Sequence, residues 1–124
     1  METKKNLRAG QIVFSEGDPG DAMYVVIQGL VQIYRDTTSG RVVLAKIGAG
    51  QFFGEMALMR DQPRSATAVA LTETALAAYQ PDELEKLLDT RPAVGARMIR
   101  ELIKRLRDTT DSLMEERKKR TSSW

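Results

Sequence analysis

The chain has 124 residues and a formal net charge of +2, with 42% hydrophobic and 29% charged residues, an ordinary globular composition. It contains neither cysteine nor histidine, which removes disulfides, thiolate metal sites, cysteine nucleophiles and the imidazole of most proton-shuttling and metal-dependent enzymes. A binding module is therefore expected rather than an enzyme, with no catalytic residue, no metal and no catalytic cofactor.

No apolar run approaches the ~20 residues of a membrane-spanning helix. Nothing reads as a signal peptide either, so the expected compartment is the cytoplasm. One domain over residues 1–124 is expected, with a barrel over about 8–80 and C-terminal helices over about 81–120. Met1 to Arg8 precede the first strand expected. Strands follow at Gln11–Phe14, Met23–Gln28, Val31–Arg35, Val42–Ile47, Ala66–Leu71 and Ala75–Tyr79, rich in Val, Ile and Tyr and punctuated by glycines. No helix of ordinary length separates them, which disfavours a parallel α/β sheet and favours an antiparallel sandwich or barrel.

After Tyr79 the period changes. Pro81 suits the first position of a helix, and Asp82 and Glu83 suit its positive end. Leu84, Leu87 and Leu88 mark one apolar face, and Arg91-Pro92 ends the segment. A longer helix is expected from Ala93. Its positions Ile99, Leu102, Leu106, Thr109 and Leu113 alternate by three and four residues, the spacing of a coiled-coil seam. Arg117, Lys118, Lys119 and Arg120 read as a solvated helix end, and Thr121 to Trp124 as frayed.

The segment richest in chemistry is Phe52-Phe53-Gly54-Glu55-Met56-Ala57-Leu58, followed by Pro63-Arg64-Ser65-Ala66-Thr67-Ala68. Gly54 permits a sharp turn after an apolar pair, and Glu55 to Met59 have good helix propensity. A helix starting there presents unpaired N–H groups suited to an anionic oxygen, and a guanidinium at Arg64 would complete a phosphate site. Glu55 would repel a phosphate, but it suits a ligand with a hydroxyl donor close to that phosphate. Taken singly, Arg64 is a surface arginine paired with Glu55 or Asp61, and Glu55 is a first-turn carboxylate. Phe52 and Phe53 read as core or hinge packing, and Asp18 and Asp21 as turn residues rather than calcium ligands.

Together these segments resemble the cyclic-nucleotide-binding domain family, which includes regulatory subunits of cAMP-dependent protein kinase, cyclic-nucleotide-gated channels and the bacterial catabolite activator. The likeness extends to Phe14-Ser15-Glu16-Gly17-Asp18-Pro19-Gly20-Asp21, to Met23-Tyr24-Val25-Val26 and to Gly29-Leu30-Val31-Gln32-Ile33-Tyr34. It implies a mainly β fold: an antiparallel jelly-roll barrel, a short hinge helix and a long lid or dimerisation helix. It implies that Glu55 receives a ribose 2′-OH and that Arg64 pairs with a cyclic phosphate. The N–H groups of Gly54, Met56 and Ala57 would lie near the phosphate, and Ser65 would bond the phosphate or a guanine edge. Val43 or Leu44 would pack against the purine. From the long helix, Arg105 or Arg107, or the pair Thr109 and Thr110, would reach the base. The implied ligand is cAMP, with cGMP admitted by the Ser65 hydroxyl.

A homodimer through the last helix is compatible with the likeness to the family's dimer helix. No helix-turn-helix follows that helix, so direct DNA binding by this chain is not expected. The alternative is the same fold without nucleotide, working as an interaction or dimerisation module. A cupin-type enzyme would need histidines that the chain lacks.

Overall fold

The computed structural model describes residues 3–55 and 62–122, with side chains through Glu116. The described elements are strands β1 (Thr3–Leu7), β2 (Ile12–Phe14), β3 (Met23–Gln28), β4 (Leu30–Thr37), β5 (Gly40–Gly48), β6 (Phe52–Phe53), β7 (Thr67–Ala70) and β8 (Thr74–Tyr79). Helices α1 (Pro81–Thr90) and α2 (Pro92–Ser122) follow. The chain divides into two compact units, Met1–Lys86 and Leu87–Trp124.

In the first unit the strands form two four-stranded sheets, β1-β8-β3-β6 and β2-β7-β4-β5, and every pairing is antiparallel. Successive strands pass repeatedly between the sheets, which is the double-sheet jelly-roll arrangement. The core is built from alternate strand residues, because a strand sends successive side chains to opposite faces. In β7 only Ala68 and Ala70 are buried, and in β3 Tyr24 and Val26 join the core while the adjacent Met23 is buried outside that cluster. Tyr24, Val26, Val31, Ile47, Phe53, Ala68 and Leu76 belong to one apolar cluster. Removing a Val or Leu side chain from water contributes about 1.5–3 kcal/mol, so Val26, Val31 and Leu76, at 0–1% exposure, anchor the fold.

Two strands were not expected from the sequence, and two others differ in length. The segment Met1 to Arg8 does not merely precede the first strand, for Thr3–Leu7 is a strand paired along its length with Leu76, Ala77 and their neighbours in β8. As an edge strand with four of five residues exposed it carries no apolar alternation to read. Phe52–Phe53 is a two-residue strand opposite Val25 and Tyr24, too short for periodicity to register. Strands β4 and β5 run longer than expected, because their ends form an exposed hairpin around Thr37 and Gly40.

Helix α1 starts where its proline and acidic residues place it. The Glu83 carboxylate accepts a bond from Gln80 N at 3.1 Å, the reciprocal contact of a capping box. It ends at Thr90, ahead of Pro92, which opens α2. Thr121 and Ser122, expected to fray, are helical. Among the described residues no helix is long and apolar enough to cross a membrane.

Candidate functional site

The arginine singled out in the sequence is not on the surface. Arg64 is 4% exposed, the one buried charged residue among those described. Its position is set by a turn far away in the chain. Asp18 Oδ2 accepts from Ser15 N at 3.0 Å and closes a turn whose next carbonyl, that of Asp18, accepts from Arg64 N at 2.8 Å. Gly17 N donates back to Arg64 O, also at 2.8 Å, with Gly17 at φ 89°. Pro19 and Pro63 form a β-bridge beside this pair. The Ser15–Asp21 turn thus clamps the arginine's backbone on both sides.

The side chain is held as firmly. Nη2 donates to Ala22 O at 2.7 Å and Nη1 to Gly54 O at 3.2 Å. The guanidinium carbon lies 4.1 Å from the Phe14 ring centroid and 5.8 Å from that of Tyr24. Gly54 is required twice over. Its φ is +78°, and a Cβ there would come within 2.9 Å of Arg64 Nη1. Gly20 is also close, since its Cβ would meet Arg64 Nε at 3.4 Å.

Burial pushes the Arg64 pKa below the ordinary arginine value, while Tyr24, Asp21, Asp18 and Glu55 act in the opposite direction. Among the described residues no carboxylate forms an ion pair with it, and Nε is buried with no hydrogen-bond partner. A buried cation whose direct contacts are carbonyl dipoles and a ring face is incompletely compensated. An oxyanion placed against Nε would supply both the missing acceptor and the missing charge. The donor set therefore fits a phosphate.

The structure brings together Gly54, Glu55 and Arg64. Glu55 follows Gly54 directly and is half-buried, and Ser65 follows Arg64 and is exposed. Met56 and Ala57, with the helical turn expected over Glu55–Met59, lie outside the described residues. Val43 and Leu44 stand on β5 at 49% and 53% exposure. Val43 faces Tyr34, while Leu44 is the extra residue of a bulge, since Ile33 pairs with Ala45 and Tyr34 with Val43. Arg105, Thr109 and Thr110 lie on α2 in the second unit. Arg105 Nη2 meets Glu101 Oε1 at 2.7 Å, and the Thr109 and Thr110 hydroxyls donate to Arg105 O and Leu106 O at 2.9 Å each.

Sequence reasoning missed Phe14, Ala22 and the clamp of Gly17 and Asp18. The turn was legible, but its bonds to a residue more than forty positions later left no local signal. Phe52 and Phe53, at 3% and 2% exposure, are core residues as expected. Asp18 serves its turn, and among the described residues no acidic cluster is arranged to hold a metal ion.

The geometry has close counterparts. The CRP-like cAMP-activated global transcriptional regulator of Mycobacterium tuberculosis is 36% identical over 107 residues, which are 86% of this chain and 48% of that protein. The chain thus spans about half the length of that relative. The crystal structure of the Thermus thermophilus catabolite activator protein is 34% identical with a TM-score of 0.77, covering 90% of this chain and 53% of that one. An EAL enzyme in its cAMP-bound form is 35% identical with a TM-score of 0.64, covering 94% of this chain and 32% of its own. The family model of the cyclic nucleotide-binding domain matches residues 4–91, and the chain belongs to that family.

Proposed function

We propose that the chain is a cyclic-nucleotide sensor module, with cAMP as its ligand, and not an enzyme. The observation that carries this reading is the buried Arg64 guanidinium with its unpartnered Nε. A cyclic phosphodiester carries a single negative charge, enough to match this cation, and its fused ribose offers a 2′-OH to the Glu55 carboxylate. Gly54, Met56 and Ala57 contribute N–H groups and Ser65 a hydroxyl to the phosphate. Val43 or Leu44 contributes apolar surface to the purine.

Residues 1–124 work as one module in this reading, with α1 as hinge and α2 as lid. Occupancy shifts a two-state equilibrium because the lid contacts exist in one state only. Arg105, Thr109 and Thr110 are the lid's candidates for the base. The hydroxyl protons of Thr109 and Thr110 are engaged by backbone carbonyls, so each Oγ offers lone pairs outward. Lone pairs match the 6-amino donor of adenine and not the 6-oxo acceptor of guanine, which favours cAMP over cGMP. The exposed seam at Ile99, Leu106 and Leu113 supports a homodimer through α2. The reading assigns this chain no DNA contact and no membrane contact of its own, and a cytoplasmic setting, where cyclic nucleotides act as signals.

Thermal unfolding with each nucleotide tests the proposal. At a hundredfold excess over Kd, cAMP should stabilise the chain by about 2.7 kcal/mol, and cGMP less. An unfolding curve moved by neither nucleotide would favour the same fold used as an interaction or dimerisation module.

A further inference from the structure

Phe14 is half-buried at the end of β2 and packs against the core cluster. Its ring lies 6.0 Å from that of Tyr24 and 5.9 Å from that of Phe53, centroid to centroid, and those two stack at 5.3 Å. A Phe in a core needs no polar neighbour, yet this ring carries the buried guanidinium of Arg64 at 4.1 Å. The guanidinium has one donor on Ala22 O and one on Gly54 O. Those two bonds fix the group's edge, but they leave its plane free to tilt about the line between them. A ring face removes that freedom, and the negative face of the ring also lowers the cost of a cation with no carboxylate in contact. The arrangement holds the remaining N–H donors, the buried Nε–H among them, in one fixed plane before any ligand arrives.

We infer that Phe14 is a positioning residue for anion capture: its ring sets the plane of the Arg64 guanidinium and stabilises the cation, and so tunes affinity for a cyclic phosphate without touching the ligand. The inference rests on the reading of Arg64 as the phosphate-binding group. It distinguishes Phe14, whose ring centroid is 4.1 Å from the guanidinium carbon, from Tyr24, buried and at 5.8 Å, and from Phe53, buried and stacked on Tyr24.

Two measurements on wild type, Phe14→Leu and Phe14→Tyr test it. In the nucleotide-free chain, the Arg64 Nε–H resonance should be displaced by the ring current in wild type and in Phe14→Tyr, and should relax in Phe14→Leu. Calorimetric titration with cAMP should show affinity falling roughly tenfold in Phe14→Leu and staying within about threefold in Phe14→Tyr, the scale of a desolvated cation–π contact. Phe14→Met, which keeps the bulk but has no π face, should behave as Phe14→Leu and replaces it should the leucine chain not fold. An Nε–H resonance indifferent to Phe14→Leu, or an unchanged cAMP affinity, overturns the inference while the phosphate reading of Arg64 stands. A wild-type chain that does not bind cAMP overturns that reading too.

Discussion

The jelly roll and the long helix α2 use apolar residues in opposite ways. In the jelly roll, Met23, Val26, Val31 and Leu76 are at most 1% exposed, and a charged side chain is enclosed by carbonyls and a ring. In α2, Ile99, Leu106 and Leu113 are 59%, 68% and 59% exposed, and several polar side chains bond within the helix, as Arg105 does with Glu101. The first region buries its apolar side chains internally and leaves Arg64 Nε without an acceptor. The second leaves a periodic row of apolar residues exposed.

Substitutions in the two regions should therefore differ in kind. The largest effect is expected in the sheets, where Leu76→Ala should cost about 2–5 kcal/mol in thermal or denaturant unfolding. Gly54→Ala should cost about 1–3 kcal/mol of stability, because it forces a strained φ and displaces Arg64. It should also weaken cAMP binding, and a calorimetric titration beside the unfolding curve separates the two losses. At the small end, Leu106→Ala should change the unfolding of the dilute chain by no more than about 0.5 kcal/mol. The same substitution should reduce any association that sedimentation detects at high concentration. A Leu106→Ala chain destabilised as much as Leu76→Ala would erase the contrast between the regions.

Much of this was readable from residue order. β3, Met23–Gln28, was legible at both ends because its apolar run lies between Asp21 and Gly29. The helices were legible through Pro81 and Pro92, which fix their first turns. Glu55 and Arg64 stood out in the sequence, and the structure brings them together beside Gly54. The edge strand β1 was not, since a strand of Thr, Lys, Lys, Asn and Leu with exposed side chains has no period to detect. Nor was the cradle of Arg64. Ala22 and Phe14 acquire their roles only when β2 and the turn after it are folded against the segment holding Arg64, and neither residue type advertises a guanidinium partner.

The central claim is that Arg64, buried and lacking an acceptor at Nε, captures the phosphate of a cyclic nucleotide. Calorimetric titration of cAMP into wild type and a folded Arg64→Ala chain tests it most directly. The account predicts a loss of about 2–5 kcal/mol in binding free energy on removing the guanidinium. Equal affinity in the two chains would contradict it.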